Sequence, residues 1–166
     1  NDFYREKLKE CGVEPGDVRS LDDLKRLPFL TKDDFRDQYP LKMLCVPRDT
    51  VREMHMSSGS TGTPVVMAYT EADLMQWAEC MARCQVMAGM QPGDALQITP
   101  TFGLFNGGFG FYHGARMAGL FVIPASSGYT NRQIMLMRDF KVRGLGSVVS
   151  YASRIIEMLD EQGLEL

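Results

Sequence analysis

The 166 residues carry a net charge of −3, with 45 % hydrophobic and 23 % charged side chains, the composition of a globular chain long enough to bury a core. This slightly acidic balance, with interleaved charges such as Arg5-Glu6-Lys7 in place of a basic stripe, argues against a nucleic-acid-binding surface. The four cysteines, Cys11, Cys45, Cys80 and Cys84, are too scattered for a disulfide framework, and the charged opening of the chain is unlike a signal peptide, so a reducing cytoplasm is expected.

Residues 1–50 read as a helical segment. A helix is predicted over 3–11, ended by Gly12. Ser20-Leu21-Asp22-Asp23 and Thr31-Lys32-Asp33-Asp34 resemble capping boxes, in which a hydroxyl satisfies a free amide and the acid three residues on complements the helix dipole. Pro28, Pro40 and Pro47 separate these pieces.

From residue 51 the pattern changes to an α/β subdomain, 51–166. Strands are predicted over 51–56 and 65–69, on either side of a loop at 57–64. A long helix then runs from Thr70 to Gly89, with Leu74, Trp77, Ala78, Met81, Cys84 and Ala88 recurring at helical steps on its inward face. Three strand–helix units follow, with strands near 95–99, 120–124 and 145–149 and helices near 107–118, 131–140 and 152–162. Their spacing of about 25 residues argues for crossover connections and a mainly parallel sheet flanked by helices. Within this region 95–115 holds 21 residues without a formal charge, nominally enough to cross a bilayer. Its five glycines, Pro100 and Asn106 make it a poor membrane helix, so it reads as protein interior and no membrane partner is expected.

The loop Ser57-Ser58-Gly59-Ser60-Thr61-Gly62-Thr63-Pro64 is the most informative segment. It carries five hydroxyl side chains and two glycines. Glycines allow backbone amides to turn toward a common centre, and hydroxyls add donors, the makings of an anion-binding nest for a phosphate chain. The Walker pattern is absent. A plain hairpin turn needs glycines too, but it does not need five hydroxyls.

The segment 56–64 resembles the Ser-Ser-Gly-[Ser/Thr]-Thr-Gly-Lys-Pro loop of the adenylate-forming acyl-CoA synthetase superfamily. Its flanks are similar to the phenylacetate–coenzyme A ligase branch: Leu-Lys-Arg-Leu-Pro-Phe-Leu at 24–30, Gly93-Asp94, Gly103-Leu104-Phe105-Asn106-Gly107-Gly108, Val122-Ile123-Pro124, Gln133-Ile134, Arg138-Asp139-Phe140 and Ser150-Tyr151-Ala152. The resemblance covers the chain in consistent order and implies the N-terminal portion of a larger enzyme, with the adenine site, the C-terminal domain and the catalytic lysine outside this chain. It implies ATP, Mg2+ and coenzyme A as cofactors and a carboxylic acid as substrate. Phosphate contacts would fall to Ser57, Ser58, Gly59, Ser60, Thr61, Gly62 and Thr63, and the acid pocket to Phe102, Phe105, Asn106, Gly107 and Gly108.

Two departures stand out. Thr63 replaces the family lysine, which removes a charge-assisted contact to phosphate. Pro100 replaces the first aromatic of the family's Tyr-Gly-Tyr-Gly-Leu-Phe, so an aryl or other hydrophobic acid is expected rather than phenylacetate in particular. A nucleotide-binding or structural subdomain without chemistry is the alternative. Cys80 and Cys84, four apart on a helix, together with His55 form a weak metal candidate against ordinary packing, and no metal site is assigned. His113 reads as internally satisfied or as a substrate contact. A subdomain separated from its neighbours exposes apolar surface, so self-association is expected.

Overall fold

In the computed structural model, which describes residues 1–59 and 62–166, Asn1 caps the first helix, α1 (Asp2–Glu10), by accepting the Tyr4 amide at 3.3 Å. Its side-chain amide also donates to the carbonyls of Lys42 and Leu44, at 2.9 and 3.1 Å. The Thr31 box forms as its residues dictate: Asp34 accepts the Thr31 amide at 2.7 Å and Thr31 accepts the Asp34 amide at 3.3 Å, opening α2 (Lys32–Asp37). The Ser20–Asp23 box opens a 3-10 helix, Leu21–Arg26, rather than an α-helix. Only six residues separate Ser20 from Leu27, whose extended backbone precedes Pro28 and ends the turn.

The chain packs as two compact units, Asn1–Thr70 and Glu71–Leu166. The first contains the helical pieces and an antiparallel hairpin of β1 (Val51–Met56) and β2 (Val66–Thr70). The hairpin therefore groups with the helical segment, whereas the sequence pattern draws its line at 50/51. Met54, Met56, Val66 and Ala68 present one hairpin face to Tyr39–Leu41 and Arg48 around a groove of about 480 Å3.

The second unit contains α3 (Glu71–Met87), β3 (Ala95–Ile98), α4 (Asn106–Met117), β4 (Phe121–Ile123), α5 (Thr130–Asp139), β5 (Gly144–Gly146) and α6 (Val149–Gln162). Its sheet is parallel with strand order β4-β3-β5. The third strand is shorter than predicted. Pairing ends where Ile98 meets Gly146, and the β-branched Val148 and Val149 instead cap and begin α6.

Central strand β3 is buried on both faces. Leu96 and Ile98 pack with Ala115 and Leu120 on one side, while Ile134, Met137 and Ile155 form a second cluster that Leu145 joins. The Gly-rich, uncharged stretch resolves into β3 and α4, and among the described residues no helix is long and apolar enough to cross a membrane. A Cβ on Gly110 would lie 2.8 Å from the Trp77 ring, and one on Gly114 2.4 Å from Met81 Cβ, so these glycines let α4 lie close against α3. The buried stripe of α3 is Ala78, Ala82 and Gln85, with Leu74, Trp77 and Met81 half-buried, whereas Cys84 and Ala88 of the predicted face are exposed. The 3.6-residue period carries the contact stripe from Ala78 through Ala82 to Gln85 instead.

Candidate functional site

The hydroxyl-rich loop grows from the end of β1. Ser57 closes its neck: the Ser57 amide donates to Val65 O at 2.9 Å, and the Val65 amide donates to Ser57 Oγ at 2.9 Å. The Ser57 hydroxyl proton stays available for donation. Gly59 and Gly62 adopt positive φ of +65° and +126°. A Cβ on Gly59 would come within 3.1 Å of Gly62 O, so a glycine is required there on both counts. The Gly62 amide, expected to face a phosphate, donates to Gly59 O at 2.9 Å in this conformation. Ser58 and Thr63 are exposed to solvent. Ser60 and Thr61, also expected to bind phosphate, lie outside the described residues.

Behind the loop, His55 is 1 % exposed and its Nε2 lies 2.6 Å from Glu53 Oε1. Period-two alternation puts both side chains on one face of β1, and Tyr69 of the paired strand stands edge-on to the imidazole with centroids 5.8 Å apart. His55 thus buttresses the strand that feeds the loop. Cys80 and Cys84 are exposed on α3, and among the described residues no cluster of three His, Cys, Asp or Glu side chains could hold a metal ion.

The residues expected to line an acid pocket separate by environment. Phe102 packs on the core cluster, with Phe109 and Tyr112 edge-on at 5.4 and 6.1 Å. Phe105 is 48 % exposed at the N-cap of α4, and Asn106 and Gly107 open the helix, also exposed. Gly108 is buried because the backbone of residues 100 and 101 crosses it: a Cβ there would meet Thr101 O at 2.9 Å. Gly108 therefore makes room for backbone, and of the five only Phe105, Asn106 and Gly107 face outward. His113 sits among Trp77, Phe109 and Tyr112, with ring centroids 5.6 to 6.0 Å away.

Sequence reasoning misses a polar set at the carboxyl ends of the strands, where open α/β sheets bind ligands. Thr99 Oγ1 lies 2.9 Å from Ser147 Oγ and 3.2 Å from Gly146 O, joining the ends of β3 and β5. Gln97 and Gln133 form a fully buried amide pair beneath β4's outgoing loop. An amide in the middle of Leu96-Gln97-Ile98 is the one signal that could have shown it.

No family model matches the chain. It is 44 % identical over 162 residues to a phenylacetate–coenzyme A ligase of Thermus thermophilus, and 42 % identical over 160 residues to that of Escherichia coli. The alignments cover 98 % and 96 % of this chain. Throughout its length the chain is similar to phenylacetate–coenzyme A ligases. It spans 36 and 37 % of the length of these two relatives. Among solved structures, 2-hydroxyisobutyryl-CoA ligase in complex with 2-HIB-AMP and CoA matches with a TM-score of 0.90 at 30 % identity, over 98 % of this chain and 36 % of that one. An open conformation of the same ligase gives a TM-score of 0.88 at 28 % identity. The fold is that of the matching part of an adenylate-forming CoA ligase, as the resemblance implies, and its parallel β4-β3-β5 sheet is the one expected from the α/β pattern.

Proposed function

We propose that this chain is the N-terminal part of an ATP-dependent, AMP-forming carboxylate–CoA ligase acting on an aryl or other hydrophobic acid. The observation that carries the reading is 40 to 44 % identity to four phenylacetate–coenzyme A ligases over 96 to 98 % of this chain, with the hydroxyl- and glycine-rich loop in place. In the first half-reaction a carboxylate oxygen attacks the α-phosphorus of ATP; the bond to the β-phosphate breaks and pyrophosphate leaves. In the second, the thiolate of coenzyme A attacks the acyl carbon and displaces AMP.

The role assigned to this chain is to bind and orient. Negative charge grows on the departing pyrophosphate, and donors aimed there act most strongly in the transition state. The hydroxyls of Ser57, Ser58, Ser60, Thr61 and Thr63 and the amide of Gly59 are proposed for that task, with the Gly62 amide joining them once it leaves Gly59 O. Backbone amides suit phosphate oxygens rather than a cation, whereas a hydroxyl oxygen can serve either; with no carboxylate in the loop, Mg2+ would be held mainly through the nucleotide, where it would neutralise phosphate charge. Phe105, Asn106 and Gly107 are proposed to meet the acid, with Phe102 and Gly108 supporting them from beneath. The adenylation lysine is assigned to sequence beyond this chain. A cytoplasmic setting fits enzymes that draw on ATP and coenzyme A, with no role for nucleic acid or membrane. We also propose that the chain by itself self-associates, since Val148 and Val149 at the start of α6 and Ile156 midway along it are more than half exposed.

Acid-dependent ATP–pyrophosphate exchange by the complete protein, run over a panel of aryl and aliphatic acids, tests the reading. Exchange with a hydrophobic acid is expected. Saturable ATP binding with no exchange for any carboxylate would leave a nucleotide-binding module, the reading that exposed Thr63 favours.

A further inference from the structure

The loop that leaves β4 is held in an unusual backbone state by a buried amide pair. Ser126, Gly128 and Tyr129 have φ of +60°, +89° and +51°, and two of the three carry a Cβ. For such residues the left-handed region costs roughly 1–2 kcal/mol each, and it persists only where the surroundings over-determine it. The surroundings here are specific. Gln133 Nε2 donates to Ser126 O at 2.7 Å and to Gly128 O at 3.2 Å. Gln97 Nε2 in turn donates to Gln133 Oε1 at 2.6 Å and to Gln133 O at 3.2 Å. Both side chains are 0 % exposed, and all four of their amide protons have acceptors.

The arrangement is a poor one for stability alone. Gln97 Oε1 is enclosed without a hydrogen-bond partner among the described residues, and an unsatisfied buried acceptor costs about 1–3 kcal/mol. An aliphatic pair at 97 and 133 would avoid that cost but would leave the carbonyls of Ser126 and Gly128 without their donors. Position supplies the reason to keep the amides. The loop lies at the carboxyl end of the parallel sheet, where α/β folds place ligands. It is bonded directly to the central strand through the Ser126 amide to Ile98 O at 3.0 Å, one residue before the segment that leads through Pro100 to Asn106. It also presents Tyr129, 77 % exposed, with the Arg132 guanidinium stacked 4.9 Å from its ring.

We propose that Gln133, anchored by Gln97, is a positioning residue that fixes the 126–129 loop, with its left-handed Ser126, Gly128 and Tyr129, as a wall of the acid-binding crevice. The Tyr129 ring and Arg132 cation are thereby offered to the carboxylic acid. The inference rests on the ligase reading. Its test is Gln133→Met in the complete protein, which keeps length and removes both the donors to the loop and the acceptor for Gln97. The KM for the acid should rise about tenfold while the KM for ATP stays within about twofold, since misplaced binding groups act on the ligand they face. Gln133→Glu keeps the acceptor for Gln97 but as a carboxylate offers the loop no proton. Its acid KM should therefore improve relative to wild type as pH falls and the side chain regains one donor, a response that a merely structural role does not produce. Hydrogen exchange supplies the second measurement: amides at 126–130 should exchange faster in Gln133→Met, with those of β3 unchanged. An unaltered acid KM, or equal losses against ATP and acid with faster exchange throughout the sheet, overturns the proposal. Should Gln133→Met fail to fold, Gln97→Met is expected to shift the acid KM and the loop exchange in the same way, and the same contrary results overturn the proposal. Wild type inactive with every acid would defeat the ligase reading instead, while exchange at 126–130 would still decide whether Gln133 holds the loop.

Discussion

Ser57 and Val65 bond to each other twice, amide to carbonyl at 2.9 Å and amide to hydroxyl at 2.9 Å. In the second bond a side chain takes the place of backbone at the neck of the loop. Ser57→Ala removes it and leaves the Val65 amide without its acceptor, a loss of about 1 kcal/mol. In the complete protein the KM for ATP should rise about fivefold with the acid KM unchanged, read from pyrophosphate exchange. Ser57→Thr, which keeps the hydroxyl, should restore it.

Thr63 is exposed where the resembling loops carry lysine. An ammonium group there would add a charge-assisted contact to phosphate, which is roughly twice as strong as a neutral one. Thr63→Lys should therefore tighten ATP binding several-fold in calorimetric titration at low salt. The gain should shrink as ionic strength rises, because an exposed contact is screened. Tightening that ignores salt would mean that the lysine acts by some route other than charge.

Much of this architecture is legible in the sequence because the signals are local. Periodicity and capping residues locate α1, α2 and α3 to within a few residues, and the regular spacing of apolar runs announces the parallel strands. What escapes is decided by partners far along the chain. The third strand is predicted, but not that it starts at Gly144 and ends at Gly146, where Met90, Leu96 and Phe111 crowd the backbone so closely that a Cβ would come within 2.7 to 3.0 Å of those side chains. Gly108 reads as room for a ligand and proves to be room for the backbone of residue 101. Gln97 and Gln133 stand 36 residues apart, so no local pattern shows that they meet. In the loop the glycines are legible as turn formers, but the bond from the Gly62 amide to Gly59 O depends on the turn that actually forms.

Lys7 and Asp34 tie α1 to α2 through a contact of 2.8 Å, with the two side chains 28 % and 16 % exposed. The Lys7 ammonium first, then the amide and hydroxyl of Thr31, hold the Asp34 carboxyl down from 3.8 to about 2. A carboxyl depressed on folding stabilises the native state while it is ionised. That contribution is complete above about pH 4, the ordinary carboxylate value, and is lost as pH falls toward about 2. Asp34→Asn should flatten the fall of the denaturant midpoint between these limits, the two curves approaching each other at the acid end. A parallel offset at every pH would refute the assignment.

The crossing of α3 and α4 allows a sharper contrast between two glycines of one helix. Alanine favours a helix interior over glycine by about 1 kcal/mol, so Gly114→Ala gains locally, and Gly107→Ala, in the first turn of α4, gains less. At Gly114 the added methyl would lie 2.4 Å from Met81 Cβ and 2.8 Å from the Ala82 amide nitrogen, atoms fixed to the neighbouring backbone. These cannot swing aside as a side-chain tip can. Overpacking of this kind costs about 1–3 kcal/mol or more, so Gly114→Ala should lower the urea midpoint clearly. At Gly107 the nearest atom to an added Cβ is Pro100 Cβ at 3.8 Å, an ordinary contact. Gly107→Ala should therefore leave the midpoint unchanged or raise it. Because Gly107 is proposed to face the acid, its acid KM in pyrophosphate exchange should nevertheless rise. A Gly107→Ala protein of wild-type acid KM would remove Gly107 from the proposed pocket, and a Gly114→Ala protein of wild-type stability would show that the two helices can part without loss.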